Sequence, residues 1–142
     1  MKNLHPRDNT CYAINLKRAA NSITKFYDKM LGQTTLTISQ FSLLNDIKLI
    51  QPCSKSQLAV YAKLAPSTIT RNLKLLKKGG YINDSSAYDS RESQISLSEL
   101  GHEKANAGLA LWKKAQRKIQ EEVGPEALNQ LKKTLKIIEN IN

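Results

Sequence analysis

From Cys11 to Leu31 apolar residues recur at intervals of three and four. Tyr12, Leu16, Ala19, Ile23, Phe26 and Met30 share one face of a predicted helix, while Lys17, Arg18, Lys25 and Lys29 fall mostly elsewhere on the turn. Gly32 is the expected stop. Thr37 and Gln40 then have the spacing of a capping box, in which each side chain satisfies a free backbone donor at a helix start, and Leu36 and Phe41 flank it as a hydrophobic staple. This second helix is expected to run through Leu43, Leu44 and Ile47 to about Leu49, and Pro52 forbids its continuation.

The same device follows at once, with Ser54 and Gln57 as the box and Cys53 and Leu58 as the staple. A short helix containing Leu58, Ala59 and Ala62 breaks near Lys63 to Ala65, and Pro66 suits the first turn of the next helix. That helix, about Pro66 to Lys78, turns Ile69, Leu73 and Leu76 inward and ends at Gly79-Gly80. The period then changes: Tyr81 to Asn83 and Gln94 to Leu97 read as short strands, joined by a polar loop from Asp84 to Glu92. Ser98 caps a long helix reaching about Val123, and Gly124-Pro125 separates it from a last helix in which Leu128, Leu131, Leu135 and Ile138 follow a heptad spacing.

Two short helices around a three-residue break, followed by a hairpin, make a winged helix-turn-helix. The predicted fold is mainly α with a small antiparallel β wing, and the division is 1–35 for an N-terminal helix, 36–98 for the winged segment and 99–142 for the C-terminal helices. Charge sharpens the picture. The chain carries 22 Lys and Arg against 12 Asp and Glu, a net charge of +10. Between Lys48 and Asn83 stand seven basic residues and no acid. An ordinary solvated surface interleaves its signs, so a polyanionic partner is expected, and a helix-turn-helix at that place favours nucleic acid over a membrane surface.

With Ile69, Leu73 and Leu76 inward, the opposite face shows Ser67, Thr68, Thr70, Arg71, Lys74 and Lys78. Small hydroxyl residues at the helix start permit close approach to a duplex. Arg71 can make a forked pair to guanine, and Lys74, Lys77 and Lys78 suit phosphates, which anchor without reading sequence. In the wing, Arg91 can enter a minor groove, with Asp89 orienting its guanidinium; the plainer alternative is an ordinary surface pair.

The segments TISQFSLL, SKSQLAVYAKLAPSTITRNLKLLKKGGYI and DSRESQISLSELG resemble the MarR family of transcription regulators, and the resemblance extends from about Cys11 to Ile141. It implies a homodimer with interlocked first and last helices, binding a pseudo-palindromic operator in double-stranded DNA and repressing nearby genes until a small molecule or oxidant releases it. The uncovered apolar stripes on the first and last helices agree with a dimer. By the resemblance, Ser67, Thr68, Thr70 and Arg71 match the recognition helix and Arg91 the wing arginine, while Pro66 replaces a small polar residue found in several relatives. The effector pocket implied between dimer helices and winged domain would take a small aromatic ligand against Tyr12, Leu16, Phe41 and Trp112; the alternative is that these four are plain packing. Some relatives sense peroxide through a cysteine near the start of the first helix. Cys11 stands near there, with Tyr12 and Tyr27 as candidate neighbours, although it is offset from the sensors' position and an unreactive role is the alternative.

Catalysis has no support: His5 and His102 have no nucleophile at a meaningful spacing, and no Gly-rich phosphate loop follows a strand. No cofactor or metal is expected. A winged helix that binds RNA or protein remains the other class of function. Two cysteines, a polar start and no long apolar run lead to the expectation of a cytoplasmic protein without a membrane span.

Overall fold

The computed structural model describes residues 11–85 and 94–142. Six helices and two strands follow in the order α1 (Tyr12–Met30), α2 (Ile38–Ile50), α3 (Lys55–Ala62), α4 (Pro66–Lys78), β1 (Ile82–Asp84), β2 (Ile95–Leu97), α5 (Glu99–Val123) and α6 (Pro125–Glu139), with a 3-10 turn at Gly32–Thr34. The wing is a two-stranded antiparallel sheet with Ile82 opposite Leu97 and Asp84 opposite Ile95.

Both capping boxes form. The Thr37 and Ser54 hydroxyl oxygens accept from the amides of Gln40 and Gln57, whose side chains accept in return from the N-cap amides. Both staple pairs are buried. Ser98 caps α5 by accepting from the Gly101 amide at 3.0 Å. The strands sit one residue later than the pattern predicts at β1, because Tyr81 still belongs to the exit of α4. Its amide donates to the Leu76 carbonyl and that of Gly80 to Lys77, with Gly80 at φ 77°: a Schellman closure that only a residue tolerant of positive φ makes without strain. Cys53 does more than staple. It exchanges two backbone hydrogen bonds with Ile95, at 3.1 and 2.7 Å, and so ties the turn before α3 to β2.

The core lies inside the winged segment. Phe41, Leu43, Leu44, Ile47, Leu58, Ile69, Leu73, Leu76, Ile95 and Leu97 form one buried cluster, and α5 closes it with Ala105 and with Gly108, whose missing side chain leaves room for the Phe41 ring. The outer helices differ. α1 and α6 contain no buried residue, and Leu131 and Leu135 on the heptad stripe are 44% and 38% exposed. Polar ties hold the end of α1 and the turn after it: the Asp28 carboxylate of α1 accepts from the Ile38 amide at the start of α2, and Lys104 of α5 donates to the Thr34 carbonyl in the 3-10 turn. The described helices include none long and apolar enough to cross a membrane.

Candidate nucleic-acid interface

The Pro66 ring presets the first turn of α4, and Lys63 in the left-handed region, at φ 55°, turns the chain from α3 into it. Ile69, Leu73 and Leu76 then anchor one side in the core. The amphipathic period leaves Ser67, Thr70, Arg71, Lys74 and Lys78 exposed on the other side, and Thr68 half-buried. Among the capped helices of the winged segment α4 is unlike its neighbours, since Ala65 offers no side-chain acceptor to its first amides.

Thr70 carries a refinement. Its hydroxyl donates to the Pro66 carbonyl at 3.0 Å, so its hydrogen is engaged within the helix. What remains for a partner is an acceptor oxygen and a methyl group, a pair suited to base amino and thymine methyl groups rather than to phosphate.

The fold also brings Lys55 and Asp84, which were not among the candidate contacts, beside three residues that were. A cleft of about 230 Å³ lies between the first turn of α3, α4 and β1, lined by Lys55, Thr70, Lys74, Lys77 and Asp84. Lys74 and Lys77 are three apart on one helix, a proximity legible in the sequence. Lys55 joins them only because α3 packs across α4. Three basic side chains thus line one groove, with the Asp84 carboxylate at its strand side. Arg91 and Asp89 lie outside the described residues.

The residues expected to line an effector pocket are placed in two groups. Phe41 is buried, and its ring centroid lies 6.5 Å from that of half-buried Trp112 on α5, tilted by 34°. Tyr12, 85% exposed, and Leu16 stand on the outer surface of α1. Cys11 is the N-cap residue of α1, partly exposed, with no side-chain capping bond. Tyr27 is no neighbour of it in the same chain: sixteen residues of helix separate them by about 24 Å, and the Tyr27 hydroxyl contacts Gln116 of α5 instead. Burial pushes the Cys53 thiol above its ordinary pKa, in line with a packing role. No group of three or more potential His, Cys, Asp or Glu metal ligands occurs among the described residues.

Comparison with known proteins finds a family pattern in part of this sequence and solved structures of the same fold. The sequence pattern of the MarR family matches residues 36–91, which span α2 to the wing. An uncharacterized HTH-type transcriptional regulator of Bacillus cereus is 33% identical over 98 residues, covering 67% of this chain but only 65% of that protein. The M. tuberculosis transcriptional regulator MosR, in a crystal structure with DNA, superposes with a TM-score of 0.76 at 27% identity over 91% of this chain and 96% of that one. A probable transcriptional regulator from Pseudomonas aeruginosa, 24% identical, shares the fold with a TM-score of 0.80 over 93% of this chain and 99% of its own. The MarR family pattern thus covers the winged segment, and the helix order and two-stranded wing match the fold of solved transcriptional regulators.

Proposed function

We propose that this protein is a homodimeric, sequence-specific DNA-binding regulator that acts as a repressor and inserts α4 into the major groove of a pseudo-palindromic operator. The observation that carries this reading is the division of α4. Three aliphatic residues fix the helix to the core, while Ser67, Thr70, Arg71, Lys74 and Lys78 are exposed on a helix that carries no acidic residue of its own. A major groove about 12 Å wide accepts such a helix, and the hydroxyl residues at its start keep the approach close. Arg71 reads a base, Lys74 and Lys78 hold phosphates, and the Lys55–Lys77 groove fixes the neighbouring strand. The complex of MosR with DNA supports the same use of the fold here.

The dimer is supported by the apolar faces of α1 and α6, which one chain leaves uncovered. Two copies interlocking these helices would set two α4 helices about 34 Å apart, or a multiple of it, to meet successive major grooves. The releasing signal we favour is a small aromatic molecule entering beside half-buried Trp112, where the Phe41 ring offers an aromatic wall.

Fluorescence anisotropy with the DNA flanking its own gene, a scrambled duplex and a structured RNA, each at several salt concentrations, tests the reading. A steep salt slope with preference for one palindromic duplex is expected. Equal affinity for all duplexes, or preference for the RNA, overturns it.

A further inference from the structure

A second cleft lies behind the recognition helix, and its chemistry is opposite to that of the DNA face. It encloses about 330 Å³ between α2, the turn after α3, and α4. Leu43, Ala62 and Leu64 supply apolar wall, while Ser42, Asp46, Thr68 and Asn72 bring polar groups to the same space. Apolar walls with a few convergent polar groups, at a volume above ~300 Å³, are the usual make-up of a small-molecule site.

Asp46 is the decisive residue. It is half-buried and has no hydrogen bond or ion pair with any described residue. Burial without compensation raises its carboxyl pKa, with no other cause opposing or adding to it. A chain in which basic residues outnumber acidic ones by 22 to 12 has many ammonium groups that could have satisfied this carboxylate. Among the described residues none lines the cleft: no Lys, Arg or His is among its wall residues. A partly buried carboxylate with no partner among the described residues can gain an ion pair from an external cation that enters the cleft. A bare metal ion would find one carboxylate and no use for the aliphatic walls, which points instead to a cation with an apolar body.

We infer that the cleft between α2 and α4 binds a small organic cation, a protonated amine or amidine on an apolar frame, with its charged head on Asp46 and its body against Leu43 and Leu64. Thr68 and Asn72 of α4 line the same space, so the occupant touches the recognition helix itself. The site is separate from the Phe41–Trp112 ring pair, and its existence does not depend on the DNA-binding reading.

Benzamidine is a suitable probe, with neutral benzamide and anionic benzoate as controls of the same shape. In amide NMR spectra of the full chain, benzamidine is expected to shift the Ser42, Thr68 and Asn72 signals in a saturable way. Benzamide and benzoate are expected to bind at least about tenfold more weakly. Asp46→Asn should abolish the preference for the cation, and Ser42→Tyr, which fills the cleft from an exposed position, should remove binding of all three probes. Absence of saturable shifts at these amides, equal binding of benzamidine and benzamide, or an unchanged preference in Asp46→Asn overturns the inference.

Discussion

Gly101, in the first turn of α5, lies so close to Tyr81 that a Cβ on it would come 1.9 Å from the Tyr81 carbonyl oxygen. That oxygen also accepts the Ser98 amide at 3.0 Å, and the Ser98 hydroxyl donates to the Gly80 carbonyl at 2.6 Å. The exit of α4, the root of the wing and the start of the long α5 helix are therefore one tightly packed joint. Backbone meets backbone there, and a flexible side chain cannot move aside. Gly101→Ala is expected to lower stability by about 1–3 kcal/mol, read from the urea midpoint, and to weaken DNA binding through the displaced α4 and wing. Gly32→Ala, where a Cβ meets nothing within 4 Å, should stay within about 0.5 kcal/mol of the parent.

Arg71 and Lys78 share the exposed face of α4 but are assigned different work. Arg71→Ala should cost about 1–3 kcal/mol on the preferred operator and less on random duplex, so that discrimination falls. Lys78→Ala should weaken both to the same extent. Competition binding with matched and scrambled duplexes checks this, and an equal loss on both duplexes for Arg71→Ala removes its base-reading role.

The groove holding Lys55, Lys74 and Lys77 makes a separate prediction. Lys55→Ala and Lys77→Ala should each reduce the slope of log K against log salt by about 1, with little change in sequence preference. Asp84→Asn should act in the opposite direction and tighten binding to any duplex, because it removes a negative charge from the same groove. Affinity titrations over a salt series measure both, and slopes identical to the parent's exclude the groove from the interface.

A double change of Leu131 and Leu135 to Asp places charge on the exposed heptad stripe of α6, where neither side chain belongs to the buried core of the single chain. Light scattering coupled to gel filtration should show the mass of the parent halved. Operator affinity should drop by about 10²-fold or more, because each half-site then binds alone. Retention of the parent mass would mean that Leu131 and Leu135 do not join two copies.

Asp46 gives a pH-dependent prediction with a definite sign. Its carboxyl pKa is raised by burial, so the folded state holds the proton more tightly than the unfolded chain does. The associated penalty is absent below the unfolded carboxylate range, develops as pH rises through that range to the folded pKa, and is fully present at neutral pH. Asp46→Asn should therefore raise Tm at pH 7, and the gain should shrink as pH falls toward ~4. Thermal melts across that window decide it; a gain independent of pH would trace to packing instead.

Local order was legible because its causes are local. Thr37 with Gln40 and Ser54 with Gln57 satisfy helix-start amides three residues away, Pro66 presets a backbone angle, and Gly80 permits a left-handed exit, so these helix ends announce themselves within one turn of chain. The same holds for the face of α4, since a period of 3.6 puts Ile69, Leu73 and Leu76 opposite Arg71 and Lys74. The resemblance to a family of regulators was carried by these same segments, and the sequence and fold comparisons agree with it.

What distant residues do together was decided only by tertiary packing. Nothing in the spacing of Cys53 and Ile95 foretells a bridge between them, or that Lys55 shares a groove with Lys77, or that Asp46 shares a cleft with Thr68 and Asn72. Such contacts depend on how helices cross, and that is set by the shape of the whole core, to which each side chain contributes only a part. Periodicity determines which face of a helix turns inward; the neighbour that face meets is chosen by the collective packing of the chain.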